Sequence, residues 1–156
     1  ALSYADRGVR SVGLRFAPTV HGEGDHGFVA HLAGIARATG VSGYVGDGAN
    51  RWPAVHVGDA AHLVRLALEG ATAGSVVHAV GEEGIATRDI AAAIGRGLGV
   101  PSTSIDPAQA AEHFGWIGRF FALDTPASSV LTRELLGWTP TRPGLLDDLA
   151  AGYYTS

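Results

Sequence analysis

The sequence predicts an α/β fold with parallel strand pairing. Apolar runs of strand length recur at Val9–Phe16, Val41–Val45, Trp52–Val57 and Ser75–Val80. Strands and helical patterns alternate along the chain, and strands joined through helices pair in parallel. A chain of 156 residues, 46% of them hydrophobic, can bury a sizeable core as one domain. So few strands make a poor sheet without neighbours, so the sequence also predicts that part of the fold lies elsewhere.

The elements follow in order. Ala1–Arg7 reads as the last turns of a helix, and Gly8 suits a left-handed C-cap. Val9–Phe16 is a strand ended by Pro18. His21–Gly27 is a glycine-rich loop. Phe28–Thr39 is a helix, with Phe28, Leu32, Ile35 and Ala36 on one face and Gly40 as its stop. Val41–Val45 is a strand, turned by Gly46-Asp47-Gly48. Trp52–Val57 is another strand, which Pro53 kinks or places at a sheet edge. Asp59 is a natural N-cap for a helix to Glu69 that buries Ala60, Leu63, Val64 and Ala67. Ser75–Val80 is a strand. Thr87 caps a helix through Leu98, with Ile90, Ile94 and Leu98 in line. Asp106-Pro107 opens a helix that ends near Gly115. Ser128–Leu136 and Leu145–Tyr153 are the last helices. Gly95, Gly97 and Gly99 close a helix rather than open one, so they do not form a dinucleotide fingerprint.

Composition excludes several classes. Net charge is −4 with no basic run, which speaks against nucleic acid. The absence of cysteine excludes disulfides, zinc–thiolate sites and thiol catalysis, and it fits a reducing cytoplasm. No apolar run approaches the roughly 20 residues of a membrane span. All 11 basic residues are arginine, so the chain cannot carry a catalytic lysine. Together with 23 glycines and abundant alanine, this reads as the bias of a GC-rich genome. There is no methionine, so the chain reads as a piece of a longer polypeptide.

Four segments carry a family resemblance. They are Gly8–Arg15 leading to Pro18 and Gly22; Gly46-Asp47-Gly48 leading to Val55–Ala61; Val77–Gly81 with Thr87–Leu98; and Leu135-Leu136-Gly137-Trp138-Thr139-Pro140. In this order and spacing the chain resembles the C-terminal half of an extended or atypical short-chain dehydrogenase/reductase of the NAD-dependent epimerase/dehydratase family. The resemblance implies the last strands of a partial Rossmann-like, doubly wound sheet plus a small α/β substrate-binding subdomain, spanning residues 1–156. It places relatives among bacterial proteins. It also implies that the glycine-rich cofactor turn and the Tyr-x-x-x-Lys pair lie in an N-terminal half outside this sequence.

The expected site residues follow from the resemblance and from side-chain chemistry. Pro18, Thr19, Val20 and His21 correspond to the loop that closes over the nicotinamide end of the cofactor, which is NAD or NADP in the full-length protein. His21 also faces substrate, and His26 and Phe28 line a substrate cleft. In nucleotide-sugar epimerases of the family an arginine in the turn before the strand grips phosphates. Here Arg51 falls one residue early and Trp52 takes the equivalent place, which weakens a nucleotide-sugar substrate. Trp52 either covers an apolar ligand or packs at an edge. Arg119 and Arg133 are candidate anion contacts, with Trp116, Phe120 and Phe121 clustered around Arg119. His21, His26 and His31 recur every five residues, which does not converge on a metal, so no metal site is expected. His56 and Asp59 read as an acid–base pair or, more simply, as strand residue and cap.

The sequence therefore predicts the substrate-binding portion of an NAD(P)-dependent oxidoreductase or epimerase/dehydratase-like protein acting on a small or sugar-like substrate. The alternative is a degenerate, non-catalytic member serving as a ligand- or partner-binding module. Expected partners are a small-molecule substrate and the missing N-terminal half, with self-association through the exposed sheet edge. The chain alone is expected to be inactive and to bind no cofactor tightly.

Overall fold

The computed structural model describes residues 2–155; Ala1 and Ser156 lie outside the described residues. Among the described residues three of the four strand pairings are parallel, as the alternation of strands and helices predicts. Strand β1 (Gly13–Phe16) pairs in parallel with β5 (Val76–Ala79), placing Leu14 beside Val77 and Phe16 beside Ala79. Strand β2 (Thr19–His21) pairs in parallel with β4 (Arg51–His56), which pairs antiparallel with β6 (Glu82–Ala86). Strand β3 (Ser42–Val45) pairs in parallel with β7 (Ser102–Ile105).

Among the described residues seven α-helices surround these small sheets: α1 (Phe28–Thr39), α2 (Val57–Gly70), α3 (Thr87–Leu98), α4 (Ala110–Phe114), α5 (Gly118–Phe121), α6 (Val130–Leu136) and α7 (Leu145–Ala150). Two cores result. One gathers α1, α3 and α7 around Trp52, Ile90, Phe114 and Phe121. The other packs α2 and Trp138 on the β1–β5 pair through Leu63, Val55 and Val77. Among the described residues β1 has no second strand beside it.

Several expectations need correction. The first helical turns are a 3-10 helix, Leu2–Arg7, although Gly8 does take a positive φ of 78°. The first strand begins at Gly13 rather than Val9, and the loop after Pro18 contains a short strand up to His21. The fully buried residues of α1 are Val29, Leu32, Ala33 and Ala36, with Phe28 and Ile35 partly buried against the same core. Of the two readings of Pro53, the kink holds and the edge does not, since it sits in the central strand of its sheet. A register shift between Trp52 and Ala54 accommodates its missing N–H.

Asp59 is not the cap of α2. His56 is, with Nδ1 accepting from the Gly58 N–H at 3.0 Å. The Asp59 carboxylate instead accepts the backbone N–H groups of Thr141 and Arg142 at 3.1 and 2.9 Å. Thr87 is the first residue inside α3, and its hydroxyl donates to Asn50 Oδ1 at 2.7 Å. The helix read as Leu145–Tyr153 ends at Ala150. Strands β6 and β7 were not expected.

The turn after β3 depends on glycine at two positions for different reasons. Gly46 and Gly48 have φ of 60° and 62°. A Cβ at Gly46 would meet open space, whereas one at Gly48 would lie 2.6 Å from both Tyr44 Cδ2 and Arg88 Cβ. Gly46→Ala is expected to lose about 1 kcal/mol from the left-handed backbone alone. Gly48→Ala adds a steric conflict and should lose about 2–4 kcal/mol. Thermal melts of the two variants check this; equal melting temperatures would contradict the packing described.

Candidate functional site

The loop that follows β2 forms one wall of a cleft of about 380 Å³, lined by Pro18, Val20, His21, the Gly22–Gly27 segment, Phe28 and Val57. Pro18 lies between β1 and β2, His21 ends β2, Phe28 opens α1 and Val57 opens α2. The cleft therefore opens at the C-terminal ends of parallel strands, where α/β folds place ligands.

The loop is held from below by hydrogen bonds. Asp25 Oδ1 accepts the Gly27 N–H at 2.6 Å, and Asp25 Oδ2 accepts the Tyr154 hydroxyl at 3.0 Å. The same hydroxyl oxygen accepts the Gly22 N–H at 3.2 Å. Tyr154 thus ties both ends of the loop to the C-terminal segment. Burial pushes its hydroxyl well above the ordinary tyrosine value, so it stays a donor.

Beneath the loop lies a buried polar cluster. His21, 1% exposed, shares a 2.6 Å hydrogen bond between Nδ1 and Asp148 Oδ2. His56 Nε2 stands 3.8 Å from the same carboxylate oxygen, and its ring meets that of His21 edge-on at 5.4 Å. Glu82 lies 3.8 Å from His21 Nε2 and accepts the Leu145 N–H at 2.8 Å, fixing the start of α7. His21 Nε2 is itself buried without a hydrogen-bond partner. The Asp148 carboxylate thus fixes the orientation of the His21 ring beneath the loop.

The structure gathers Pro18, Val20, His21, His26 and Phe28 at this cleft. It does not bring the other candidates there. Thr19 is buried in β2, with its hydroxyl lacking a partner. Arg51 is bound to Asp124 by its Nε at 3.1 Å and a terminal nitrogen at 3.0 Å. That hydrogen bonding raises the arginine pKa and lowers that of Asp124. Trp52 is 2% exposed and packs between Phe28 and Phe121, so it belongs to the core rather than to an edge. Arg133 donates to Ser129 Oγ at 3.0 Å and to the Gly81 carbonyl at 3.2 Å, above the Trp138 ring. Arg119 is exposed on α5. His56 and Asp59 do not pair with each other; His56 accepts the Gly58 N–H at the start of α2, and Asp59 accepts the Thr141 and Arg142 N–H groups of the C-terminal segment.

Sequence reasoning missed Asp25, Glu82, Asp148 and Tyr154. Only Asp25 had a local signal, an Asp two residues before a glycine at a helix start. The other three meet the loop across large separations, 127 residues for His21 and Asp148. Among the described residues no cluster of His, Asp and Glu could hold a metal ion. No helix among them is long and apolar enough to cross a membrane.

No family model matches the chain. An uncharacterized protein of Schizosaccharomyces pombe is 52% identical over 153 residues, covering 98% of this chain and 52% of the relative. An uncharacterized protein of Saccharomyces cerevisiae is 50% identical over 153 residues, covering 98% of this chain and 51% of the relative. The chain thus spans about half the length of these curated relatives, which are fungal and lend no support to a bacterial origin.

Among solved structures, a dTDP-glucose 4,6-dehydratase of Streptomyces venezuelae with NAD bound superposes with a TM-score of 0.73 at 20% identity, over 97% of this chain and 45% of that one. A UDP-glucose 4-epimerase of Thermotoga maritima gives 0.70 at 18%, over 97% and 47%. RMD of Pseudomonas aeruginosa, complexed with NADPH, gives 0.66 at 14%, over 99% and 52%. The fold is that of about half of an epimerase/dehydratase-type, NAD(P)-binding structure, as the sequence predicts.

Proposed function

We propose that this chain is the substrate-side portion of an NAD(P)-dependent oxidoreductase or epimerase/dehydratase-type protein acting on a small or sugar-like molecule. In this reading residues 1–156 contribute the cleft wall at Pro18–Phe28, and a nucleotide-binding segment packs along the free edge of β1. The observation that carries it is the placement of the cleft. It opens at the ends of parallel strands, on the loop between β2 and α1, in a fold whose solved neighbours hold NAD or NADPH. Pro18, Val20 and His21 then face the nicotinamide end, and His26 and Phe28 face substrate.

The chain has no lysine, so a Tyr-x-x-x-Lys pair would come from outside it. The phosphate-cradling turn would come from outside as well, and without it little affinity for the cofactor remains. Calorimetric titration of the chain with NAD and NADP is expected to show no binding tighter than about 1 mM, a free energy of about 4 kcal/mol. Micromolar binding by the chain alone would overturn this division of labour.

A further inference from the structure

The charges around the cleft point to the class of molecule it takes. We propose that it accepts a small, non-anionic molecule bearing hydroxyl or carbonyl groups and excludes phosphate-bearing ones; this rests on the substrate-side reading above.

The lining carries two carboxylates, Glu23 and Asp25, and no arginine. Its only basic side chains are His21 and His26. Behind it stand two more carboxylates, Asp148 and Glu82, on either side of the His21 ring. The nearby arginines are committed elsewhere: Arg51 to Asp124, Arg133 to Ser129 and Gly81, and Arg37 to the Tyr154 carbonyl at 3.3 Å. Arg142 lies against the turn at Gly58, outside the lining.

One feature would ordinarily favour an anion, the N-terminus of the 12-residue helix α1. It is already faced by a carboxylate, because its N-cap residue Gly27 donates its N–H to Asp25 at 2.6 Å. A phosphate here would lose water beside two carboxylates without meeting an arginine or lysine.

The remaining surface suits an uncharged molecule. Pro18, Val20, Phe28 and Val57 give apolar walls. Gly22 lets the loop approach closely, since a Cβ there would lie 2.9 Å from Val57 Cγ1. His26, exposed on the loop, offers a polar group for a hydroxyl or carbonyl.

The test is an amide NMR titration of the intact chain, following Gly22, Gly24 and Gly27, with D-glucose, glucose 1-phosphate and UDP-glucose as probes. Glucose is expected to shift these signals saturably, and both phosphorylated probes to bind at least 10-fold more weakly. Glu23→Gln, at an exposed side chain, should narrow that gap at least 3-fold. Phosphorylated probes binding the same glycines as tightly as glucose would overturn the inference and leave the cleft as a ligand site. If no probe shifts the glycines, the substrate-side reading of the cleft falls, and the inference with it.

Discussion

Trp138→Ala is expected to lose about 3–5 kcal/mol of stability, a large share of what a domain of this size possesses. Trp138 is 0% exposed and fills the space between α2 and the β1–β5 pair with Val55, Leu63 and Val77. Its indole N–H donates to the Asp59 carbonyl at 3.1 Å, and the segment after it is held by the Asp59 carboxylate. The substitution therefore opens a cavity, strands an acceptor and loosens the C-terminal segment together. Trp138→Phe keeps most of the volume and should lose about 1–2 kcal/mol. Trp116, 60% exposed, serves as a control that should stay within about 1 kcal/mol. Urea unfolding followed by circular dichroism separates the three; a Trp138→Ala midpoint equal to the Trp116→Ala midpoint would contradict this core.

Asp148→Ala is expected to lose about 3 kcal/mol, because it removes the partner of a buried histidine rather than only a contact. His21 would then keep Nδ1 as well as Nε2 without a partner in a site that admits almost no water. His56 would lose the carboxylate 3.8 Å from its Nε2. Asp148→Asn retains an acceptor oxygen and should lose about 1 kcal/mol. The same urea series reads both, and amide exchange at Gly22–Gly27 should quicken in Asp148→Ala beyond what the global loss requires. Unchanged exchange in that loop would mean that the cluster does not support the cleft.

What the sequence revealed followed from locality. Helix α1 is legible in both bounds because its apolar repeat and its αL glycine stop are contiguous. The alternation of strands and helices carries enough information for the parallel pairing. Strand β6 was missed because Glu82, Glu83 and Gly84 hide a segment with one buried side chain. Strand β7 was missed because Ser102–Ile105 is almost wholly exposed and polar. Pro53 suggested a kink or an edge, and the bulge at Trp52–Ala54 in a central strand is the first of these.

The site divides in the same way. Pro18, Val20, His21, His26 and Phe28 fall at the cleft because one short loop carries them. Arg51, Trp52 and Arg133 do not, because pairing with Asp124, burial between Phe28 and Phe121, and stacking over Trp138 decide their positions. Those partners lie far away in sequence. The Leu-Gly-Trp-x-Pro ending had a family look but no stated physical role. The structure supplies one, since Trp138 and the residues after Pro140 dock on the start of α2.

The proposed division of labour is most directly tested in a joined polypeptide. The 153 residues of this chain that match the Schizosaccharomyces pombe protein can replace the corresponding segment of that relative. NADH and NADPH binding would then be followed by nucleotide fluorescence in the chimera and in the isolated chain. The account predicts micromolar binding of one nucleotide by the chimera and none by the chain alone. A folded chimera that binds neither, or a chain that binds equally well without its partner segment, would contradict it.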